Sequence, residues 1–198
     1  MRRPGAQGRD TGGLIAGILL AAGQSTRFGR QKLLEPWRGE PLVRNAARAI
    51  IDAGLRPVVA VVSDDSRLVD ALGGLPLTTV ENPHPENGIS GSIAIGLRAL
   101  PETVDAALIA VGDQPNLTAE AIEQLLDAFQ PGRIVVPRFG DHRGNPPVFA
   151  RRFFTELLAL TGDHGGQRVI TSHPDSVIEV LLSQSLGDDV DRPDEWPA

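Results

Sequence analysis

Short apolar runs alternate with amphipathic stretches along the chain. The apolar runs are rich in β-branched residues, and several carry no polar side chain, as expected of strands that are covered on both faces. They predict strands over residues 14–20, 57–63, 77–80, 106–111, 133–136 and 177–182. Strands that alternate with helices are typical of an α/β domain with a mainly parallel sheet.

The stretches between these runs follow the helical period. They predict helices over residues 41–53, 118–129, 151–160 and 167–172, and a further helix that follows Ser90 and Ser92 and runs through Leu100. Pro41 stands at the first turn of one helix and Gly54 follows its end, while Thr118 caps another. The chain shows no internal repeat and no linker, so we expect one folded domain over residues 14–198.

Composition narrows the chemistry. The 198 residues include no cysteine, which excludes disulfides, thiolate metal sites and a thiol nucleophile. The formal net charge of −6 argues against binding to long nucleic acid. Residues 14–22 are too short an apolar stretch to span a bilayer, and residues 1–13 lack the hydrophobic segment of a secretion signal. We therefore expect a cytoplasmic protein without membrane contact, with residues 1–13 as a disordered extension.

Turn-forming residues are densest in four segments, residues 21–32, 82–91, 112–116 and 140–147. In an open parallel sheet, ligands bind where loops leave the carboxyl ends of the strands. Three of the four segments fit that position. We expect the functional site there.

The first of these loops has the residues needed to hold a polyphosphate. Its small residues let the main chain approach a ligand, so that successive N–H groups can face an anion while Arg27 and Lys32 neutralise it. The spacing is neither a Walker A loop nor a dinucleotide glycine motif. The alternative interpretation is a solvated turn with scattered charge.

A single carboxylate, Asp113, follows the strand over residues 106–111. Carboxylate oxygen suits Mg²⁺, which binds through one or two carboxylates together with substrate phosphates. The alternative is an aspartate that serves turn geometry ahead of Pro115. The residues alone leave both interpretations open.

These strings resemble one known family. Residues 20–34 read Leu-Ala-Ala-Gly-x-Ser-x-Arg-Phe-Gly-x-x-Lys-Leu-Leu, which is similar to the motif of the MobA/MocA-like nucleotidyltransferases. Residues 112–115 resemble the family's Gly-Asp-x-Pro motif. The resemblance extends over nearly the whole folded chain. It implies a single Rossmann-like three-layer α/β/α domain with a mostly parallel mixed sheet, of the nucleotide-diphospho-sugar transferase type.

The resemblance also implies a nucleotide site. Its catalytic residues would be Arg27, Lys32 and Asp113. The implied nucleotide-binding residues are Leu20, Ala21, Ala22, Gly23, Ser25, Arg27, Lys32, Gly88, Ser90 and Asp113. The family's cytidylyltransferases carry Ala-Ala-Gly, whereas its guanylyltransferases carry Ala-Gly-Gly, so residues 21–23 favour CTP.

The implied metal is Mg²⁺, held by Asp113 and Asp191. Residues 186–196 carry a run of carboxylates that is similar to the family's Asp-Ile-Asp-Thr-Pro-Glu-Asp-Leu ending, whose second aspartate is the other metal ligand. The chain departs from that ending at Arg192 and Trp196. Asp189 is the alternative second ligand. Asp194 and Glu195 are interpreted as part of a solvated surface.

Two further strings are similar to the family's substrate-side elements. Residues 88–92 resemble a Gly-Met-Ser-x-Ser string near the nucleotide, although Ser90 could instead cap the following helix. Residues 142–146 resemble the His-x-Gly-Asn-Pro loop, which implies substrate binding by His142 and Asn145. Residues 161–168 resemble Gly-Asp-x-Gly-Ala-Arg with a change at Gly166 and Gln167, and their role stays open.

The resemblance as a whole implies transfer of CMP from CTP to molybdopterin, with release of pyrophosphate. Guanylyl transfer and a non-pterin phosphorylated acceptor are alternatives within the same enzyme class. An alternative outside the enzymes is a carrier protein, which would deliver the finished cofactor to a molybdoenzyme partner without catalysing a reaction. A third alternative is an anion-binding domain that has lost its enzymatic activity. Such a domain would be expected to have lost Arg27, Lys32 or Asp113, and all three are present.

Overall fold

A computed structural model describes residues 13–23 and 29–187 of the chain. The strands are β1 (Ile15–Ala21), β2 (Pro36–Trp37), β3 (Glu40–Pro41), β4 (Val58–Val62), β5 (Thr78–Glu81), β6 (Ala106–Val111), β7 (Ile134–Phe139), β8 (His142–Arg143), β9 (Val148–Ala150) and β10 (Val177–Leu182). The α-helices are α1 (Leu42–Asp52), α2 (Ser66–Leu72), α3 (Ile89–Arg98), α4 (Ala119–Asp127), α5 (Phe154–Leu158) and α6 (Gln167–Ser172). The extension predicted over residues 1–13 lies, apart from Gly13, outside the described residues.

One eight-stranded sheet organises the fold, with the order β10-β7-β9-β6-β1-β4-β5 and β8 paired to β7. Neighbours in the row β6-β1-β4-β5 are parallel, and so are β7 and β10. Strand β9 runs antiparallel to both β6 and β7 and so joins the two parallel parts. The predicted mostly parallel mixed sheet is confirmed. Strands β2 and β3 form a separate small hairpin.

Both faces of the sheet are covered, because apolar side chains alternate between two buried clusters. In β1, Leu19 belongs to the cluster that contains residues of α1, α2 and α4. Its neighbours Ile18 and Leu20 belong to the cluster that contains residues of α3, α5 and α6. Successive side chains of a strand point to opposite faces, so the two clusters form two core layers. The three-layer α/β/α prediction is confirmed.

The predicted elements differ from the structure mainly at their ends. The strands over residues 106–111 and 177–182 and the helix over residues 167–172 have the predicted bounds. The helix predicted over residues 151–160 is wrong in part, because Arg151–Phe153 form a 3₁₀ turn and α5 is short. The strand predicted over residues 133–136 continues to Phe139 because β10 pairs with it along its length.

Asp65 fixes the start of α2, a helix that the apolar pattern did not predict. Its Oδ1 accepts a hydrogen bond from the backbone N–H of Arg67 at 3.1 Å, and its carboxylate pairs with the Arg67 guanidinium at 2.6 Å. The Arg67 side chain, as the largest cause, holds the pKa of Asp65 below its ordinary value. A lowered carboxyl pKa stabilises the fold above the unfolded-state pKa, and this contribution is lost as the pH falls through the folded-state pKa.

We expect Asp65→Ala to lower the free energy of unfolding by about 1 kcal/mol, because α2 loses the oxygen that caps its first N–H groups. Asp65→Asn keeps a capping oxygen and should lose only a fraction of this. Urea denaturation at pH 7 measures both variants. Equal losses in the two would contradict the capping explanation.

Within residues 13–23 and 29–187, no helix has both the length and the apolar character needed to cross a bilayer.

Candidate functional site

All four turn-rich loops leave the sheet at the carboxyl ends of its parallel strands. The sequence predicted this position for only three of them. They follow β1, β5, β6 and β7. Strand β7 is antiparallel to β9, which is antiparallel to β6, so β7 and β6 run in the same direction. The N–H of Gly112 donates to the carbonyl of Leu20 at 2.9 Å, so the loops after β6 and β1 begin side by side. This edge is where ligands bind in open α/β sheets.

Lys32 and Asp113 meet at this edge. The Lys32 Nζ donates to Asp113 Oδ2 at 2.8 Å, across a separation of 81 residues. The side chains are 14% and 27% exposed, so the pair is half-buried yet open to solvent on one side. A cation and a carboxylate are thus held together where the first two loops converge. The contact argues against the interpretation of Lys32 as a scattered surface charge.

Gln31 ties the described ends of the first loop together. Its Nε2 donates to the carbonyl of Gly23 at 3.3 Å. Its Oε1 accepts from the N–H of Leu33 at 3.4 Å, at the start of the 3₁₀ turn Lys32–Leu34. These contacts place Lys32 beside the end of β1.

The described part of the predicted nucleotide-binding segment runs from the sheet into the loop. Leu20, Ala21 and Ala22 are buried, whereas Gly23 is exposed. The carbonyl of Leu20 is already used by Gly112, so it stabilises the junction between the two loops. Ser25 and Arg27, which were predicted from the same string, lie outside the described residues.

Asp113 can contribute one ligand to a divalent metal. Its carboxylate oxygens are hard donors at a solvent-accessible loop, and Mg²⁺ binds through as few as one carboxylate when substrate phosphates supply the rest. Among the described residues no group of three or more His, Asp or Glu side chains could hold a metal ion by itself. The Asp113 carboxylate thus fits a metal whose other ligands come from a polyphosphate. Asp191 and its alternative Asp189 lie outside the described residues.

Gly88 begins α3 with a main-chain geometry that favours glycine. It is the N-cap residue, with φ of 79° and no side chain to cap the helix. Ser90 lies inside α3, so the alternative that it caps this helix is wrong. Ser90 is fully buried, and its Oγ has no hydrogen-bond partner within the described part of the chain.

The turn before Gly88 is fixed by polar side chains. Asn82 is buried, and its Nδ2 donates to Ser92 Oγ at 3.0 Å, which ties the end of β5 to α3. Its Oδ1 accepts from the N–H of His84 at 2.9 Å. The backbone N–H of Glu86 and the His84 side chain, in that order, hold the pKa of the Glu86 carboxyl below its ordinary value. Among the residues that the structure describes, the Ser92 hydroxyl therefore has a hydrogen-bond partner and the Ser90 hydroxyl has none.

A cavity of about 210 Å³ lies beyond β6, between α3, α6 and the loop before β9. Its apolar lining includes Ile93, Ile109 and Phe149, which are buried in the core. Polar lining residues come from two segments: Arg143, at the end of β8, and Asn145 from one, and Asp163, His164 and Gln167, the first residue of α6, from the other. The structure thus brings the unassigned string at residues 161–168 to the same cavity as the predicted acceptor loop.

The structure places the two predicted acceptor-binding residues differently. Asn145 lines the cavity, and its carbonyl accepts from Gln114 Nε2 at 3.2 Å. Gln114 is the neighbour of Asp113, so this bond joins the acceptor loop to the loop that carries the candidate metal ligand. His142 is exposed on β8 and is not among the residues that line the cavity.

Sequence reasoning missed Arg143 and Asp163 as lining residues. Neighbours on a strand point to opposite sides, so a strand over His142–Arg143 brings only one of the two side chains to the cavity. To predict which of the two side chains reaches the cavity, one would have to know that β8 pairs with β7. Asp163 stood in a recognised string but was given no role.

Comparison with known proteins agrees with the motifs. The family model of the MobA-like NTP transferase domain matches residues 17–177. Nicotine blue oxidoreductase from Paenarthrobacter nicotinovorans is 30% identical over 188 residues, which are 89% of this chain and 92% of that protein. The purine catabolism protein PucB of Bacillus subtilis is 27% identical and covers 92% of this chain and 94% of its own length.

A solved structure extends the likeness to three dimensions. Rv0371c from Mycobacterium tuberculosis H37Rv has a TM-score of 0.83 and 26% identity, over 92% of this chain and 95% of that chain. A complex of Rv0371c with manganese has a TM-score of 0.76. Since the family model spans most of the chain and a 30% identical relative covers nearly all of it, this protein belongs to the MobA-like NTP transferase family.

Proposed function

We propose that this nucleotidyltransferase transfers CMP from CTP to the phosphate of a molybdenum-bound pterin, with Mg²⁺ as cofactor and pyrophosphate as the second product. The observation that carries the proposal is the 2.8 Å contact between Lys32 Nζ and Asp113 Oδ2 at the carboxyl edge of the sheet. A fixed cation beside a hard carboxylate suits a triphosphate and its divalent metal.

The proposed reaction is an in-line displacement at the α-phosphorus of CTP. An oxygen of the acceptor phosphate forms a new bond to that phosphorus. The bond from the α-phosphorus to the oxygen that bridges it to the β-phosphorus breaks, and its electron pair leaves with pyrophosphate. No covalent intermediate on the protein is needed, which agrees with the absence of cysteine. The protein's contribution is to position both substrates and to stabilise charge.

Charge on the leaving pyrophosphate would be stabilised by Lys32 and by Arg27. Asp113 and Asp191 would hold Mg²⁺, with Asp189 as the alternative to Asp191. When bound, Mg²⁺ neutralises phosphate charge and so lowers the repulsion between the reacting groups. Lys32 is well placed for its role because it is held at the mouth of the first loop by the contacts of Gln31.

Nucleotide binding would use the main chain of residues 20–23 and the side chain of Ser25 on one side, and Gly88 and Ser90 on the other. The start of α3 supports this assignment, because no side chain among the described residues caps its first turn and main-chain N–H groups there can face an anion. The acceptor would meet Asn145 in the cavity and His142 at its outside. The Ala-Ala-Gly string at residues 21–23 supports CTP as the nucleotide.

The relative from Paenarthrobacter nicotinovorans supplies a second candidate. Its name is that of an oxidoreductase, and it is 30% identical over 89% of this chain. The apolar cavity lined by Ile93, Ile109 and Phe149 could take the flat ring system that such a reaction would need. A redox function would require no phosphate transfer and no role for Asp113.

Pyrophosphate release tests the proposal. CTP, GTP, ATP and UTP are supplied in turn with Mg²⁺ and a molybdenum-bound pterin, with an acceptor-free control for each. We expect acceptor-dependent release with CTP. A stronger signal with GTP would replace the nucleotide assignment, and silence with every nucleotide would favour a carrier. Reduction of nicotine blue by a supplied two-electron donor, with no release of pyrophosphate, would support the redox candidate.

A further inference from the structure

The side chain of Gln114 connects two loops from a buried position. Gln114 follows Asp113 in the loop after β6, and only 2% of it is exposed. Its Nε2 donates to the main-chain carbonyl of Asn145 at 3.2 Å, across a separation of 31 residues. The amide therefore crosses from the loop that carries the candidate metal ligand to the acceptor loop (residues 140–147).

The end of the acceptor loop is attached to the fold through carbonyl groups. Its last two residues are prolines, which have no main-chain N–H to donate. The carbonyl of Pro147 accepts from the N–H of Ile109 in β6 at 3.0 Å, and the carbonyl of Asn145 accepts from Gln114. The Gln114 side chain thus supplies a donor at a point where the prolines of the loop have none.

The main chain around Gln114 is held on both sides. The N–H of Gly112 donates to the carbonyl of Leu20 in β1 at 2.9 Å, and the carbonyl of Gln114 accepts from the N–H of Leu117 at 3.4 Å. Asp113 lies between these two contacts. The Gln114 amide therefore leaves from a fixed turn, and through it the Asn145 carbonyl is held at a fixed place relative to Asp113.

The amide of Gln114 is not the group that stability alone would favour. Its Oε1 is buried and has no hydrogen-bond partner within the part of the chain that the structure describes. A buried polar atom without a partner costs at least as much free energy as one hydrogen bond contributes, so the cost of Oε1 offsets the gain from Nε2. The distinct effect of the amide is to fix the position of the Asn145 carbonyl.

We infer that Gln114 is a positioning residue, which holds the acceptor loop relative to Asp113 so that the acceptor phosphate is aligned with the α-phosphorus of the nucleotide. The inference rests on the proposed function, which assigns a metal to Asp113 and the acceptor to the cavity. Gln114 is not among the residues that line the cavity, whereas Asn145 is, so Gln114 acts through Asn145. Alignment matters because a small displacement of a reacting group lowers the rate steeply.

The variant Gln114→Met tests the inference by pyrophosphate release at varied CTP and varied molybdenum-bound pterin. Met keeps the unbranched shape of Gln but lacks the N–H donor and the unpartnered Oε1. We expect kcat/KM for the pterin to fall roughly fivefold, as for the loss of one neutral hydrogen bond, while KM for CTP stays unchanged. The midpoint of thermal unfolding should not fall. A merely structural role would lower that midpoint and impair both substrates alike.

Two further variants frame this result. Gln114→Glu keeps the shape of Gln but places an ionised carboxylate, which has no donor, against the Asn145 carbonyl, so its loss of kcat/KM for the pterin should exceed that of Gln114→Met. Gln124→Met is the matched control. The Gln124 Nε2 also donates to a main-chain carbonyl, that of Glu120 at 3.4 Å, but it does so on the exposed side of α4. This variant should have wild-type kinetics.

Hydrogen exchange of the free protein, followed by mass spectrometry, gives a measurement that does not depend on turnover. The amides of Gly144 and Asn145 should exchange roughly fivefold faster in Gln114→Met, because loss of the bond favours local opening of the acceptor loop. Peptides that cover β1 should exchange as in the wild-type protein.

Wild-type exchange of the acceptor loop in Gln114→Met would overturn the inference, whatever the activity. Faster exchange with an unchanged kcat/KM for the pterin would also overturn it, since the loop would then be held without effect on the reaction. A wild-type protein that releases no pyrophosphate with any nucleotide would overturn the proposed function. In that case the exchange measurement alone decides whether Gln114 holds the acceptor loop.

Discussion

Replacing Asp113 with asparagine should lower the rate of pyrophosphate release about a hundredfold, which is the usual effect of removing one strong electrostatic stabiliser from an active site. The amide keeps the size of the carboxylate but loses the charge that would bind Mg²⁺ and that meets Lys32 at 2.8 Å. Because the Asp113 side chain is 27% exposed, the amide can be solvated, and the fold should remain intact. Pyrophosphate release at saturating CTP and acceptor measures the effect.

Asp175→Asn is the matched control for this prediction. Asp175 is exposed on a 3₁₀ turn ahead of β10, and it makes the same change of charge without contact with the candidate site. Thermal unfolding shows whether each variant is folded. A folded Asp113→Asn protein with wild-type turnover would contradict the metal assignment. A loss of the same size in Asp175→Asn would indicate a general effect of charge.

The layered α/β fold could be predicted because its strands are local apolar runs. Strand β6, for example, is apolar over its whole length and was predicted with the observed bounds. Strand β9 was missed for a physical reason. It has only three residues, and it is a strand because β6 and β7 pair with it on either side, which no local pattern records. Its position between the two parallel parts places the acceptor loop beside the cavity.

The candidate site shows the same division between local and long-range information. Lys32 and Asp113 were each predicted from the string in which they stand, yet their contact arises because β1 and β6 are adjacent parallel strands. Arg143 was missed as a cavity residue. His142 and Arg143 are neighbours on β8, and the sequence does not show which of the two side chains lies on the cavity side of that strand. The sequence around Ser90 allows it to be the N-cap of the helix. The structure shows that the N-cap is Gly88 and that Ser90 lies inside α3.

Phe149→Ala should give a large loss of stability, about 3–5 kcal/mol in the free energy of unfolding. Phe149 is fully buried in β9, between Ala107 of β6 and Ile134 of β7. Its ring also lies under the loop at Gly166, where a Cβ would approach it to 2.7 Å. Truncation removes the packing of the core and the support of this loop together. Urea denaturation of the purified variant measures the loss.

The size of this loss depends on whether neighbouring atoms or water can fill the void that the Phe149 ring leaves. Phe149 borders the cavity, so water or a shift of the loop at Gly166 could occupy part of the void, and the cost of a large-to-small change falls as a site collapses. Phe149→Leu keeps most of the apolar volume and should lose much less. A loss below about 1 kcal/mol in Phe149→Ala would mean that the ring does not support the core. In a variant that stays folded, a raised KM for the acceptor with an unchanged thermal shift by CTP and Mg²⁺ would indicate that the floor of the cavity contacts the acceptor.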